Sequence, residues 1–255
     1  MDLDKIPFPK SWKPETKPHN FCPGCGHGIT LKVLGEVIDE LKIQNKAVIG
    51  LDIGCSLLAG DLFDVDSVQT HHGRNTPTMV GFKKANPDAI CIAYMGDGGA
   101  YAIGAQHLIN AAMRDDKITC IVVNNTLYAM TGGQMAPTTM AGQKTDTTPE
   151  GRDPNKFGYP LKGPEMINVI SENNAYVART IVTAYHHLKR TLKRAILNQM
   201  RGYGFSFVEV LSMCPVNWKM TAKESIEFLE DGMAPRFPIR ELKNNTIVDK
   251  DTNEG

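Results

Sequence analysis

Four short apolar, β-branched runs punctuate the chain: Ala47 to Ile53, Ala89 to Tyr94, Ile118 to Val123 and Ser206 to Leu211. Each is bounded by Gly, Asn or Asp, which predicts short strands buried on both faces. Between them, Leu34, Val37, Ile38 and Leu41 recur at helical spacing, as do Ile181, Tyr185, Leu188, Leu192 and Ile196, so each set predicts a helix with one apolar face. Strands alternating with helices give an α/β architecture, a mostly parallel sheet with helices on both faces. In such sheets ligands collect at the loops beyond the carboxyl ends of the strands. Lys189, Arg190, Lys193 and Arg194 on the second helix read as a solvated face. The stretch from Thr131 to Pro160, rich in Gly, Pro, Thr and Asp, has no periodicity. Connections of that length usually serve function, which places this one over a site or against a partner.

Length and composition narrow the class. The 255 residues are read as a single domain, with a proline-bearing N-terminal arm over about 1–20 and a polar C-terminal tail over about 244–255. At 42% hydrophobic and 22% charged residues, disordered, collagenous and coiled-coil chains are excluded. The 28 basic side chains cancel the 28 acidic ones, so no overall field draws the protein to nucleic acid or to an anionic membrane. The longest apolar run, Ala89 to Met95, is too short to span a bilayer, and Met1 to Asn20 carries no export signal. A cytoplasmic location is expected, with neither nucleic acid nor membrane as partner.

The chemistry begins where the strand from Ala89 runs into Met95-Gly96-Asp97-Gly98-Gly99 and a helix-compatible stretch from Ala100 to Met113. Glycines let backbone approach a ligand closely. A helix N-terminus offers free N–H groups and a positive dipole end to phosphate, and Asp97 offers a hard oxygen to Mg²⁺. Taken alone, the same loop is equally a tight turn with a capping aspartate. The following strand, however, ends at Asn124-Asn125, and adjacent parallel strands joined by a helix place both loops on one edge. Asp97 and Asn125 are therefore expected to converge.

Of the six cysteines, Cys91 and Cys120 fall inside predicted strands and read as small core side chains. Cys22, Cys25, Cys55 and Cys214 sit in loops rich in Gly and Pro, the last two just past predicted strand ends. Four convergent thiolates suit tetrahedral zinc or an iron–sulfur cluster, and spacing leaves both open. A redox dithiol at Cys22-Pro23-Gly24-Cys25 is a weaker reading, because no strand precedes it.

Gly96-Asp97-Gly98 followed by Asn124-Asn125 resembles the thiamine diphosphate motif of thiamine-dependent enzymes. That resemblance implies a thiamine diphosphate-binding fold, with Asp97, Asn125 and the Leu127 carbonyl holding Mg²⁺. Phe21-Cys22-Pro23-Gly24-Cys25-Gly26-His27, Ile53-Gly54-Cys55-Ser56, His72-Gly73-Arg74, Thr131-Gly132-Gly133-Gln134 and Cys214-Pro215 together resemble the β subunit of the 2-oxoacid:ferredoxin oxidoreductases, over most of the chain. This second resemblance implies a 4Fe-4S cluster on Cys22, Cys25, Cys55 and Cys214. It also implies a cofactor bed of Gly54, Ser56, His72, Gly96, Asp97, Gly98, Gly99, Asn125 and Leu127, with His27 nearby.

The implied reaction is oxidative decarboxylation of a 2-oxoacid to acyl-CoA and CO₂, using coenzyme A and reducing ferredoxin. The glutamate that activates the pyrimidine ring belongs in this family to another subunit or domain, so a partner α subunit is implied and no catalytic residue is assigned on this chain. The chain lacks the paired CxxCxxC runs of a ferredoxin module, which implies γ or δ ferredoxin-like subunits for electron relay. Some relatives that use 2-oxoglutarate carry a lysine where this chain has Gly132, so an apolar branched-chain acid such as 2-oxoisovalerate is the first expectation and 2-oxoglutarate and pyruvate are alternatives. Two further readings stay open: a non-redox thiamine diphosphate lyase or transferase with a structural zinc, and a non-catalytic four-cysteine metal-binding module.

Overall fold

A computed structural model describes residues 8–16 and 19–244. The rest of the arm, and the tail beyond Asn244, lie outside the described residues.

In chain order the main strands are β1 (Ala47–Leu51), β2 (Asp66–Gln69), β3 (Ile90–Gly96) and β4 (Thr119–Asn124). A small hairpin, β5 (Leu127–Tyr128) with β6 (Gln134–Met135), precedes β7 (Tyr176–Ile181), β8 (Ser206–Leu211) and β9 (Arg240–Lys243). Seven strands form one sheet in the order β2-β1-β3-β4-β8-β7-β9. All neighbours run parallel except β9, which lies antiparallel to β7 at the edge. The helices are α1 (Gly26–Leu41), α2 (Asn75–Ala85), α3 (Ala105–Met113), α4 (Pro154–Phe157), α5 (Gly163–Ile170), α6 (Tyr185–Met200), α7 (Pro215–Trp218) and α8 (Ala222–Glu227). Among the described residues no helix is long and apolar enough to cross a membrane.

The pleat of the central strands divides the core in two. Ile49, Ile92, Tyr94, Ile121, Val123 and Val208 face one side, where Leu34, Val37 and Ile38 of α1 and Leu188, Leu192 and Ile196 of α6 cover them. Val48, Cys91, Ala93, Met95, Cys120, Val122 and Phe207 face the other, under Met79 of α2, Leu108 and Ala111 of α3 and Ile167 of α5. Alternation along each strand thus feeds both layers, and each large apolar side chain so buried contributes about 1.5–3 kcal/mol. Cys91 and Cys120 are fully buried in the second layer, as core side chains.

The pattern reading needs three corrections. Ile181 is the last residue of β7, and the helix assigned to it begins at Tyr185. The run from Ala47 stops as a strand at Leu51, so Asp52 already stands beyond the sheet. The stretch from Ala100 opens with a π-helical turn, Gly99–Ile103, before α3. β7 itself has Arg179 at its centre, fully buried. Its guanidinium donates from Nε to Glu209 at 2.6 Å and from Nη1 and Nη2 to Glu165 at 2.8 and 2.7 Å. Tyr101 completes the set by donating to the other Glu209 oxygen at 2.5 Å.

The connection from Thr131 to Pro160 has structure of its own, organised around one side chain. Arg152 is buried, and its guanidinium donates to six carbonyls: Ala136, Pro137, Thr139, Phe157, Gly158 and Tyr159. A planar fork of five N–H donors suits that task as no other side chain does.

Candidate cofactor and cluster site

The register pairs Gly96 of β3 with Val123 of β4, so the two strands end level on the same edge. Their loops open into a cleft of about 560 Å³, measured to its solvent-filled mouth. Gly54, Ser56, His72, Gly96, Asp97, Gly98, Gly99, Asn125 and Leu127 all line it, together with His27, Cys55, Met130 and Thr131. Asp97 and Asn125 share this wall, as the strand argument expects.

Local geometry explains the arrangement. Asn124 Oδ1 accepts from the Thr126 amide at 3.0 Å and Asn125 Oδ1 from the Leu127 amide at 3.3 Å, a pair of side-chain turns that reverses the chain after β4. Thr126 sits there at φ 64°, a strained conformation for a β-branched residue. The long connection supports it: Thr139 Oγ1 donates to the Thr126 carbonyl at 2.5 Å, and Gln143 Nε2 to its hydroxyl at 2.7 Å. Thr138 of the same segment donates to Asp97 Oδ2. The connection therefore lies over the site.

Asp97 is buried and, among the described residues, makes no ion pair. Burial pushes its carboxyl up to about 7, against the Thr138 hydroxyl and the Gly98 amide, which lower it. A carboxylate so placed, with Asn125 and the Leu127 carbonyl on the same wall, fits a bound divalent cation, whose charge would relieve the burial.

Asp52 is a site residue that the strand pattern concealed. It is fully buried, its Oδ1 accepts from the Gly73 amide at 2.8 Å, and among the described residues its Oδ2 has no partner. Burial raises it to about 6, while the Gly73 amide, His72 and the Ile53 amide lower it. It ties the His72-Gly73 turn to the end of β1. A Cβ at position 99 would overlap Asp52 Oδ2, so Gly99 is required by that carboxylate. An acidic residue inside the run Ala47 to Ile53 was the available signal.

His27 also lines the cleft. It is buried, its Nδ1 lies 2.7 Å from the Tyr94 hydroxyl, and it stacks on Phe21 at 5.4 Å between ring centroids. Burial lowers it to about 4, so its imidazole is neutral at physiological pH.

Four thiols collect beside the cleft. Burial pushes Cys25 up to about 12; the His27 amide opposes, and Cys214, Cys55 and Cys22 push further. Cys55 rises to about 11, from burial first and then from Cys214, Cys22 and Asp97. Burial also raises Cys214, with the Asn217 amide and side chain opposing and Cys22 and Asp97 adding. The repulsions link Cys22, Cys25, Cys55 and Cys214 to one another. The causes acting on Cys91 and Cys120 include none of these four. Among the described residues, no three His, Cys, Asp or Glu side chains gather closely enough to hold a single metal ion. Four thiols whose ionised forms would repel one another, three of them raised by burial, fit a larger positive centre that draws off their protons.

Gly132 is not part of the cleft wall. It lines a separate cleft with Gly133, Lys144, Asp146 and Lys219, so a side chain there gives no direct argument about substrate.

A family model described as "Thiamine pyrophosphate enzyme, C-terminal TPP binding domain" matches residues 52–210. The chain is also 36% identical over 222 residues to the 2-oxoglutarate synthase subunit KorB of Archaeoglobus fulgidus, covering 87% of this chain and 79% of that one. The chain belongs to the β subunits of the 2-oxoacid:ferredoxin oxidoreductases. Another relative of this β subunit, the ketoisovalerate oxidoreductase subunit VorA of Methanothermobacter thermautotrophicus, is 41% identical over 230 residues, 89% of this chain and 48% of the relative. The chain thus spans about half the length of that relative. Among solved structures, 2-oxoglutarate:ferredoxin oxidoreductase from Magnetococcus marinus superposes with a TM-score of 0.79 at 25% identity, over 94% of this β subunit and 86% of its counterpart. The parallel sheet between two helical layers is therefore the thiamine diphosphate-binding fold of this family, and the cofactor it is built for is thiamine diphosphate.

Proposed function

We propose that this β subunit carries thiamine diphosphate, Mg²⁺ and a 4Fe-4S cluster in an enzyme that oxidatively decarboxylates a 2-oxoacid, forming acyl-CoA and CO₂ and reducing ferredoxin. The observation that carries the reading is the juxtaposition of a cleft built on Asp97 and Asn125 with four neighbouring thiols, one of which, Cys55, belongs to the cleft wall. When bound, thiamine diphosphate would supply an electron sink for decarboxylation, and a cluster on the four cysteines would supply an electron acceptor beside it.

The chain's own residues have distinct tasks. Asp97, Asn125 and the Leu127 carbonyl hold the metal. The backbone from Gly96 to Gly99, entering a helical turn, presents N–H groups to the diphosphate. Gly54, Ser56 and His72 complete the bed, with His72 held by the Asp52–Gly73 bond. Neutral His27, one ring nitrogen committed to Tyr94, leaves Nε2 as its only atom available for proton exchange. Cys22, Cys25, Cys55 and Cys214 ligate the cluster. An α subunit supplies the activating glutamate, ferredoxin-like γ or δ subunits relay the electrons, and the assembly works in the cytoplasm.

For the substrate, 2-oxoisovalerate or another branched-chain acid is our first choice. Among the described residues the cleft wall contains no Lys or Arg, and it presents Ile53, Leu127, Ala129 and Met130. A second carboxylate, as in 2-oxoglutarate, would be costly to bury against such a wall. The 41% identity to a subunit named for ketoisovalerate points the same way. The test is kcat/KM of the assembled complex for 2-oxoisovalerate, pyruvate and 2-oxoglutarate, with coenzyme A and ferredoxin. Preference for 2-oxoisovalerate is expected, and preference for 2-oxoglutarate would contradict the choice and place a cation on a partner subunit.

A further inference from the structure

α7 starts immediately after Cys214, which occupies its N-cap position, and has four residues. Two of them reach the loop that follows β4. Asn217 Nδ2 donates to the Ala129 carbonyl at 2.9 Å and lies 3.5 Å from Cys214 Sγ, within reach of an N–H···S hydrogen bond. Trp218 Nε1 donates to the Asn125 carbonyl at 3.1 Å. Ala129 and Asn125 both belong to the cofactor cleft. A single turn of helix thus bonds a cluster thiol on one side and the cleft wall on the other.

The orientation of Asn217 is settled by its neighbours. The Ala129 carbonyl can only accept, so the amide nitrogen, not the oxygen, must face it. That nitrogen carries two hydrogens, enough for the carbonyl and the sulfur together. Gly133 lies against the other face: at φ 96° it has no Cβ, and one built there would come within 3.3 Å of Asn217 Cβ and Oδ1. The Gly132-Gly133 turn closes over Asn217 and keeps the side chain in place.

We propose that Asn217 is a positioning residue that sets the reduction potential of the cluster held by Cys214, while α7 fixes that thiolate relative to the cofactor cleft. The inference rests on the cluster reading of the four cysteines. Its physical basis is that reduction adds negative charge which the cluster's sulfur ligands share, and an N–H donor on a sulfur stabilises that charge. Losing the donor favours the oxidised cluster and lowers the potential. Replacing it by an anion lowers the potential further.

The test uses the assembled complex, purified without oxygen, and an EPR-monitored potentiometric titration of this cluster. Asn217→Leu keeps the size and removes the donor; Asn217→Asp keeps the shape and puts acceptors toward Sγ. Both should retain iron matched to the parent. The potential should fall in the Leu variant and fall further in the Asp variant. A parent-like potential in a fully loaded Asn217→Leu complex would overturn the inference and leave the cluster reading standing. Loss of iron from both Asn217 variants would also overturn it, because Asn217 would then be a support for the ligand loop. A parent complex without iron would overturn the cluster reading, and the inference with it.

Discussion

Asp97 combines two properties that a structural aspartate avoids: burial and the absence of a cationic neighbour among the described residues. The opposing demands of stability and binding follow from that. Asp97→Asn removes the one anionic metal ligand assigned to this chain. Affinity for thiamine diphosphate in the presence of Mg²⁺ should fall by more than the roughly 10–100-fold typical of losing an outer-shell partner. Without cofactor, the same substitution deletes a buried uncompensated charge and should leave Tm unchanged or higher. Calorimetric titration and thermal unfolding of one preparation check both; parent-like affinity would show that the metal is held elsewhere. Asp97 is readable from sequence because its glycine-flanked loop after one apolar run is matched by Asn124-Asn125 at the end of the next. Asp52 and Asn217 are not, because each acts through a contact made by distant chain: Gly73 and Ala129 respectively.

At the scale of elements, pattern reading finds the central strands and misses β7. Ser206–Leu211 is found to the residue, despite Glu209, because its other positions are apolar or small. β7 escapes because Arg179 interrupts it, and only the pairing with Glu209 and Glu165 makes that position tolerable. Glu165 carries a pH signature. Partial burial raises its carboxyl, but the hydrogen bond and charge of Arg179 outweigh that and hold it below the usual carboxylate value. A carboxyl lowered on folding lends stability that is fully present above its unfolded value, about 4.5, and is lost as pH falls through the folded one. Denaturation midpoints should therefore drop below about pH 4.5, and Glu165→Gln should flatten that drop. An unchanged acid limb in the variant would refute the assignment.

The connection from Thr131 to Pro160 poses the same limit, since its order depends on one arginine meeting six carbonyls that no local pattern announces. Arg152→Lys keeps the charge but offers donors from a single point. It should cost on the order of 3 kcal/mol by urea denaturation. It should also weaken cofactor binding, because Thr138 no longer steadies Asp97. A parent-like urea midpoint would contradict this account of the segment.

As a whole molecule, the β subunit brings the cofactor cleft and the four thiols to the carboxyl edge of one sheet. The α/β class and that edge are legible from the order of strands and loops, since both follow from topology. The edge strands β2 and β9 are not: β2 is mostly exposed and β9 is polar, so neither carries an apolar signature. The proposed reaction draws on two groups assigned to partner subunits, the activating carboxylate and the relay to ferredoxin.

The most direct test of the central claim, a cluster on four particular cysteines beside the thiamine cleft, is iron and sulfide analysis of Cys214→Ala beside Cys91→Ala after anaerobic purification. Cys91 is as buried as any core residue; burial raises its thiol, the Lys83 charge opposes, and none of the four loop cysteines acts on it. The account predicts matched iron and sulfide with broad visible absorption in the parent and in Cys91→Ala, and their loss from Cys214→Ala with thiamine diphosphate binding retained. Full iron in Cys214→Ala, or a colourless zinc-bearing parent, would contradict it.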